Sequence, residues 1–545
     1  MMQKRPNIII FNPDQMRADA VSHLGSPAAK TPFLDSFART EAVSFRNAFC
    51  QHPVCVPSRC SFTTGLYPHT TGHRTMAYLL REWETSLFEE LKNAGYYVWM
   101  NARNDLVAGQ IPGLVERHAS EIYYGGGSSS DAPGPEVGRG QPGGKEYYSF
   151  FGGRLGLDEN GRNYSPDDED LDAAISRIRE KPADQPLCLF LGTVNPHPPY
   201  QVEEPYYSAI DRNRLPPRIR PEDCAGKPDI ENAIRVHQGL EPYTEEDWSE
   251  LRACYLGMCM KVDDMFRKLC DALKEAGEYD NSAIFFFSDH GDFTGDYGLS
   301  EKAQNAFEDC LTKVPFLVKP PKGFDLDAGI SDSLVELVDF YATAMDFAQT
   351  EPTHTQYGRS LRGILADRTA EVRTFVTCEG GRNPNEIHCD EFHANGPKGT
   401  QPFHPYWPRH YAQTDPDAHA KGFMIRTKKW KLVSRVNGRD ELYNLAADPQ
   451  ELHNLFGTSG TESVTARLKS DLLLWLMETA DAVPYDYDSR FSNEMIWAKV
   501  KRLVPPEYES EIKAQIAKGT NMFLLIQQCK QRFGEAGNPV KESGS

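Results

Sequence analysis

Short apolar runs alternate with amphipathic stretches along most of this 545-residue chain. The runs NIIIF, YYVWM, LCLFLGTV, AIFFFS and VPFLVK are typical of β-strands buried on both faces. The stretches between them, such as SLFEELKNAG and VDDMFRKLCDALKEAG, are typical of helices. The alternation predicts an α/β fold with a mixed, mostly parallel central sheet that is flanked by helices.

The pattern changes toward the C-terminus, which suggests further units. Two strand-like runs flank the turn sequence NGRD and predict a hairpin in a smaller C-terminal α+β subdomain. The last part of the chain is charged and helix-prone. We predict a main domain over 1–400, a subdomain with a small antiparallel sheet over 401–482 and a helical extension over 483–545. Two long loops, 123–144 and 383–421, interrupt this plan.

The charge balance limits the class of partner. The formal net charge is −19, which disfavours nucleic acid and anionic membranes, because both need a basic surface. No apolar run approaches the roughly 18 residues of a membrane span. The N-terminus has too few apolar residues for a signal peptide, so we expect a cytoplasmic protein whose twelve cysteines are reduced.

The stretch CVPSRCSFTTG, residues 55–65, singles out one of these cysteines. A lone cysteine is most often a small buried hydrophobic residue. Here, however, the first cysteine begins a longer pattern, which is far more specific than a single residue. The members of the pattern are Cys55, Pro57, Ser58, Arg59, Thr64 and Gly65.

Polar residues follow two of the predicted strands. Asp14 and Gln15 come at the end of the first strand, and Asp289 and His290 come at the end of AIFFFS. Acids in such places often cap helices or form turns. Oxygen-rich ligation suits Ca²⁺ or Mg²⁺, and an imidazole would also accept Mn²⁺ or Zn²⁺. The two pairs are therefore candidate ligands of one divalent metal.

Further motifs follow in a fixed order, and together they resemble one protein family. NPHPPY contains His197, GLSEK ends at Lys302, and ELYNLAADPQELHNL comes near the C-terminus. With the cysteine pattern and the strand-end pairs, these motifs resemble the type I, formylglycine-dependent sulfatases of the alkaline phosphatase superfamily. The resemblance spans about residues 6–455, and it implies the alkaline-phosphatase-like fold.

The resemblance implies a set of cofactors and roles. Cys55 would be oxidised to formylglycine by a maturation enzyme, and the aldehyde hydrate would be the nucleophile. One divalent metal would bind Asp14, Gln15, Asp289 and His290. The resemblance implies Ca²⁺, with Mg²⁺ or Mn²⁺ as alternatives. Arg59 would hold the hydrate, because a guanidinium fork suits paired oxygens. Lys302 would neutralise sulfate oxygens, and His197 would bind sulfate and protonate the departing alcohol.

One segment departs from the family pattern. Many sulfatases continue the next strand with Gly-Lys-Trp-His, whereas GYYVWMNARNDL places Arg103 and Asp105 at the lysine and histidine positions. Arg103 keeps the positive charge. An unpaired anion beside a sulfate would repel the substrate, so Asp105 should pair with Arg103 or bind a polar group of the substrate. A simple turn is the alternative.

The predicted function is the hydrolysis of a sulfate monoester, either a sugar sulfate or an aryl sulfate. A phosphonate monoester or phosphodiester hydrolase of the same superfamily is the alternative, and a non-catalytic binding relative is a further one. The predicted partners are a small-molecule or saccharide sulfate ester and the formylglycine-generating enzyme. The C-terminal extension could also support a homo-oligomer.

Overall fold

The structure is a computed structural model, and it describes residues 5–125, 140, 144, 146–156, 165–485 and 490–534. Most of the predicted loop 123–144 lies outside the described residues. The other predicted loop, 383–421, is described and consists mainly of irregular backbone with short helical turns. The described residues form two compact units, which are divided between Ala482 and Val483.

The first unit is built on an eight-stranded sheet. Its strand order is β10-β2-β9-β8-β1-β6-β3-β4, and β9 is antiparallel to both of its neighbours, whereas the other pairs are parallel. The predicted mixed, mostly parallel sheet is confirmed. The eight strands of this sheet are β1 (Asn7–Pro13), β2 (Val43–Phe49), β3 (Tyr97–Asn101), β4 (Glu121–Tyr123), β6 (Leu187–Thr193), β8 (Ser282–Phe287), β9 (Phe316–Lys319) and β10 (Gly329–Glu336). Two further strands, β5 (Phe151–Arg154) and β7 (Tyr200–Val202), lie outside it.

Two smaller sheets complete the first unit. β5 and β7 form a parallel pair. The strands β11 (Val376–Gly380), β12 (Gly422–Arg426), β13 (Trp430–Arg435) and β14 (Glu441–Asn444) form an antiparallel sheet in chain order. β13 and β14 are the predicted hairpin around NGRD. The sheet begins with β11, before the predicted boundary at residue 401, because β11 pairs with β12 across a long connection.

Helices cover both faces of the central sheet. None of the described helices combines the length and the apolar character needed to cross a membrane. In the first unit the helices are Pro32–Thr40, Cys55–Thr64, Pro68–Thr71, Leu87–Asn93, Leu114–His118, Pro166–Arg179, Tyr206–Ala209, Asp229–Gln238, Glu245–Glu275, Asp309–Thr312, Val338–Ala348, Arg362–Ala366, Glu391–Ala394, Trp407–Ala412 and Glu462–Glu478. Short 3₁₀ helices lie at Ala18–Ala20, Arg212–Arg214, Pro221–Asp223, Asp296–Gly298 and Ile387–Cys389.

β1 shows why its sequence is apolar throughout. Ile8 and Ile10 pack into the core on one face of the sheet, and Ile9 and Phe11 pack into the core on the other face. Side chains alternate between the faces of a strand, so a central strand needs apolar residues at every position. The long helix Glu245–Glu275 buries its apolar face on the side of Ile9 and Phe11.

Phe266 is central to that second core. It is fully buried, and its ring centroid lies 5.4 Å from Phe11, 5.2 Å from Phe37 and 5.0 Å from Phe286. We expect Phe266→Ala to lower the free energy of unfolding by about 3–5 kcal/mol, because it removes these contacts and leaves a cavity. Urea unfolding measures the loss. Phe403→Ala removes a ring that is 65% exposed, so an equal loss there would contradict the prediction.

The second unit has its own small core. It contains the helices Asn493–Val500, Glu509–Ala517 and Met522–Phe533, with 3₁₀ turns at Lys501–Leu503 and Pro506–Tyr508. Ile496, Ile512, Ile516 and Leu525 pack together within it. Most of the described residues of this unit are thus helical.

Candidate active site

The carboxyl ends of β1 and β8 bring two predicted residue pairs together. The two strands are parallel neighbours in the sheet. Asp14 and Gln15 follow β1, and Asp289 and His290 come just after β8. The backbone N–H of Gln15 donates to Asp289 Oδ1 at 3.1 Å, and all four residues are fully buried. The crevice at the carboxyl edge of such a sheet is the usual place for a ligand site.

Cys55 lies beside these residues, at the first position of the helix Cys55–Thr64. Its Sγ is 3.4 Å from Asp14 Oδ1 and 3.1 Å from His290 Nε2. Burial raises the pKa of the Cys55 thiol well above its usual value, and Asp14 adds to the shift. Since the thiolate is the reactive form of cysteine, the unmodified side chain is a poor nucleophile in this position.

Four side chains place possible metal-ligand atoms close together. These atoms of Asp14, Cys55, Asp289 and His290 all lie within 4.8 Å of one another. His290 Nε2 is 3.7 Å from Asp14 Oδ1 and 3.9 Å from Asp289 Oδ1. His290 Nδ1 donates to the Gly291 carbonyl at 2.9 Å, which leaves the Nε2 lone pair available to a metal. Two carboxylates and an imidazole fit a divalent cation such as Ca²⁺, Mg²⁺ or Mn²⁺.

Arg59 holds the two carboxylates from behind. Its Nε donates to Asp289 Oδ2 at 2.9 Å, and one terminal nitrogen donates to Asp14 Oδ2 at 3.0 Å. Burial opposes ionisation of Asp14, but the cations Arg103 and Arg59 hold its pKa well below the usual value. Asp14 is therefore ionised at neutral pH. The guanidinium is fully buried, and its fixed fork orients both carboxylates.

Gln15 and Lys302 contact each other next to this cluster. Lys302 Nζ donates to Gln15 Oε1 at 2.6 Å and lies 3.0 Å from Glu301 Oε1. The Gln15 amide nitrogen donates to Asp292. The side-chain oxygen of Gln15 is thus directed at the Lys302 cation, and its role as a metal ligand stays a prediction. Gln15 has a left-handed backbone conformation, with φ of 67°.

Arg103 and Asp105 have different surroundings. Arg103 donates to Asp14 Oδ2 at 2.7 Å, and its side chain is 30% exposed. Asp105 Oδ2 lies 3.9 Å from a terminal nitrogen of Arg59, and no hydrogen bond from the described residues reaches that oxygen. Arg103 therefore contacts the Asp14 carboxylate directly. Asp105 instead lies near the Arg59 guanidinium, which binds the carboxylates of Asp14 and Asp289.

This geometry gives a prediction for Asp105→Asn. We expect the substitution to lower kcat/KM by about tenfold or less, because a partly exposed ion pair is weak. The loss should be equal for a small aryl sulfate and for a sugar sulfate, since Asp105 acts through the neighbouring cations Arg59 and Arg103. Steady-state kinetics on both substrates measures it. A loss confined to the sugar sulfate would instead assign Asp105 to binding of the alcohol.

The cluster opens into a cavity of about 340 Å³. Cys55, Arg103, His197 and Lys302 line its inner side. His197 Nδ1 donates to the Pro198 carbonyl at 2.7 Å, so Nε2 is the atom of His197 that can exchange a proton. Burial, followed by the Lys302 cation, holds the pKa of His197 well below its usual value. Its imidazole is therefore neutral in this structure.

The rest of the cavity lining comes from residues that the sequence did not single out. We use the name far wall for residues 75–77, which follow the cysteine helix, and for the cavity-lining residues of the segment 391–410. Glu391 and Arg409 are the charged residues of the described far wall. The only available sequence signal was the His/Pro/aromatic-rich composition of this segment, and composition does not identify which side chains face a cavity.

Sequence comparison identifies relatives over most of the chain. The profile of a family described as Sulfatase matches residues 6–350, and a profile described as N-sulphoglucosamine sulphohydrolase, C-terminal, matches residues 372–477. An arylsulfatase of Clostridium perfringens is 24% identical over 83% of this chain and 91% of its own length. An N-acetylglucosamine-6-O-sulfatase of Bacteroides thetaiotaomicron is 23% identical over 87% of this chain and 86% of its own length.

Solved structures share the fold. A phosphonate monoester hydrolase of Agrobacterium radiobacter superposes with a TM-score of 0.69 at 22% identity, covering 90% of this chain and 98% of its own. BT4656 in complex with its substrate D-glucosamine-2-N,6-O-disulfate superposes with a TM-score of 0.66 at 19% identity, covering 87% of this chain and 98% of its own. At these identities the likeness concerns the fold.

Proposed function

Since the chain belongs to the sulfatase family and has the alkaline-phosphatase-like fold, we propose that its cavity hydrolyses the sulfate monoester of a saccharide. Membership of the family makes the chain a sulfuric ester hydrolase. The observation that carries the finer proposal is the position of Cys55. It lies within 3.4 Å of Asp14 and His290 and lines a cavity together with the cations Arg103 and Lys302.

Cys55 is the proposed precursor of formylglycine. The protonated state of its thiol argues against direct attack by sulfur, so an oxidised side chain is a better nucleophile at this place. A maturation enzyme would recognise the CVPSR sequence. When both are in place, the hydrated aldehyde would supply a hydroxyl nucleophile, and a divalent cation, Ca²⁺ by family resemblance, would add positive charge beside it.

The surrounding side chains have distinct proposed tasks. Asp14, Asp289 and His290 would hold the cation, and Arg59 would position both carboxylates through its ion pairs. Gln15 would join them by turning its oxygen from Lys302. Arg103 and Lys302 would bind the sulfate oxygens, because charge that is fixed before the reaction stabilises a sulfuryl group at little cost in reorganisation.

His197 is the proposed proton donor to the departing alcohol. Its imidazole is neutral in the structure because burial and Lys302 lower its pKa. An anionic sulfate ester in the cavity would offset the charge of Lys302 and favour the imidazolium. The proton on Nε2 could then pass to the leaving oxygen, while Nδ1 stays bonded to the Pro198 carbonyl.

The fold is shared with a phosphonate monoester hydrolase, so sulfate esters and phosphorus esters have to be compared directly as substrates. We expect kcat/KM for 4-nitrophenyl sulfate to exceed that for 4-nitrophenyl phenylphosphonate and for bis(4-nitrophenyl) phosphate. The protein is made with a maturation enzyme, and peptide mass analysis confirms formylglycine at residue 55 before the assay. A phosphorus ester turned over with a much larger kcat/KM would replace the proposal with the alternative.

A further inference from the structure

The far wall decides what the cavity accepts beyond the sulfate. Its uncharged cavity-lining residues among those described are Thr75, Met76, Ala77, Ala394, Asn395 and Tyr406. The sulfate would lie on the inner side, between Arg103 and Lys302. The far wall therefore faces the alcohol half of the ester, and the charge that it presents limits the chemistry of that half.

Arg409 has no donor left for a ligand. One terminal nitrogen binds both carboxylate oxygens of Glu301, at 2.6 and 2.7 Å. Its Nε and its other terminal nitrogen bind the two oxygens of Glu391, at 3.0 and 3.2 Å. The second of these nitrogens also lies 3.3 Å from His410 Nε2. The guanidinium is therefore saturated by the protein and cannot recognise a second sulfate or a carboxylate on the substrate.

Glu391 is equally occupied. Its oxygens accept from Arg409 and, at 2.8 Å, from Gln413 Nε2. Burial alone would favour the neutral acid, but Arg409 outweighs it and lowers the pKa of Glu391 to about 2. Arg409 also pairs with Glu301, which lies 3.0 Å from Lys302 Nζ, so this network contains two anions and two cations whose charges sum to zero. An ammonium group on the substrate would have to compete with Arg409 for this carboxylate.

His410 adds no charge at neutral pH. Burial lowers the pKa of its imidazole to about 4, and its Nδ1 forms a 2.8 Å hydrogen bond with the Thr400 hydroxyl. The far wall therefore contains charged and polar groups, but the charges of its ion-pair network sum to zero. A charged group brought against it would lose its hydration without gaining an ion partner, which is unfavourable.

The far wall also offers a flat surface. The Tyr406 ring lies 6.0 Å from the His410 ring with an interplanar angle of 23°, and its other neighbours include His197 at 6.3 Å. The same ring carries the Arg409 guanidinium on one side at 5.0 Å. A tyrosine that lines the cavity beside the proposed proton donor is well placed to pack against a ring that bears the sulfate.

From these contacts we propose that the alcohol half of the substrate presents to the far wall an uncharged sugar ring, one that carries no second acidic group and no amino group. The inference rests on the proposed function. The Glu391–Arg409 pair is its specificity-determining element: it balances the charge of the far wall and so excludes rings with a further anion or cation.

A matched series tests the charge rule. N-acetylglucosamine 6-sulfate, glucosamine 2-N,6-O-disulfate and glucosamine 6-sulfate share one ring and one ester position, but their nitrogen substituents are neutral, anionic and cationic. Each is measured as a competitive inhibitor of 4-nitrophenyl sulfate hydrolysis, so the result does not depend on which ester position is cleaved. We expect the neutral compound to bind at least about tenfold more tightly than either charged one.

Either charged compound binding as tightly as the neutral one would overturn the inference and leave the proposed function standing. Failure of the proposed function would give a different result. If the protein with formylglycine at residue 55 does not hydrolyse 4-nitrophenyl sulfate or any member of the series, the proposed function fails.

Glu391→Gln tests the mechanism of the selection. The amide keeps the shape of the side chain but leaves Arg409 with one compensating carboxylate, so the far wall gains positive charge. We expect the inhibition constant of the disulfate to improve by about tenfold relative to that of glucosamine 6-sulfate. Glu386→Gln is the matched control, because Glu386 belongs to the same loop, 383–421, but lies outside the far wall and pairs with Arg74 at 2.8 Å.

An unchanged ratio in folded Glu391→Gln would show that the pair does not set specificity. Arg409→Met has the opposite expected sign, because it leaves Glu301 and Glu391 without their shared partner and should favour the amine. It serves as the second test if circular dichroism shows that Glu391→Gln does not fold. A shift in the same direction in Arg409→Met as in Glu391→Gln would also contradict the inference.

Discussion

Replacing Cys55 with alanine is expected to lower kcat for 4-nitrophenyl sulfate by at least about 10⁴-fold, the scale seen when a covalent nucleophile is removed. Cys55 is buried at the start of a helix, beside Asp14 and His290, and no other described residue of the cavity offers a comparable precursor of a nucleophile. Because alanine is small and apolar, the fold should be retained, which circular dichroism and thermal unfolding measure.

Cys60→Ala is the matched control for this prediction. Cys60 lies on the same helix as Cys55 and is fully buried, so both variants lose a buried thiol. Cys60 does not line the described part of the cavity, and its replacement should leave kcat nearly unchanged. Substantial turnover by Cys55→Ala, in a preparation free of wild-type enzyme, would exclude residue 55 as the nucleophile.

Asp289→Asn is expected to lower both the metal content and the activity, with kcat/KM falling by at least about 100-fold. Mutation of a residue that only contacts a metal ligand typically lowers affinity or activity 10- to 100-fold. We expect a larger loss here because Asp289 itself offers a ligand oxygen, which lies 3.9 Å from His290 Nε2. An amide is a weaker ligand than a carboxylate for a hard cation. It also leaves the buried Arg59 with one fewer ion partner.

Metal analysis after dialysis checks the first part of this prediction, and kinetics checks the second. Chelation should lower the melting temperature of the wild type more than that of the variant, since a ligand stabilises only the form that binds it. Asp263→Asn is the control: this carboxyl is also buried, but it accepts from the backbone N–H groups of Phe33 and Leu34. Full metal occupancy in Asp289→Asn would show that the ligand assignment is wrong.

The central sheet could be predicted because local sequence determines it. In β1 every side chain faces a core, so the sequence has to be apolar at consecutive positions. The order of the strands could not be read in the same way. β9 is antiparallel between β8 and β2, and its apolar run is similar whichever way it is directed. The antiparallel sheet begins at β11 because of a pairing with β12 that spans about forty residues of the chain.

Part of the candidate site could also be predicted. Asp14, Asp289 and His290 follow strands that run parallel to each other, and geometry gathers such strand ends at one edge. The sequence did not show which partners the neighbouring side chains would contact. Arg59 contacts Asp14 and Asp289 instead of lining the cavity, and Gln15 is bonded to Lys302. These arrangements depend on which of several nearby partners each flexible side chain meets.

The sequence by itself determined where the candidate chemistry lies and predicts its type at residue 55, because the cysteine pattern and the strand-end acids are local features of the chain. Only the tertiary structure decided the character of the far wall. Glu301 and Arg409 are 108 residues apart, and either would read as an exposed charged residue in the sequence. The charges of Arg409 and Lys302 compensate those of Glu301 and Glu391 only when folding removes water from between them, since an ion pair depends on distance and burial and not on position along the chain.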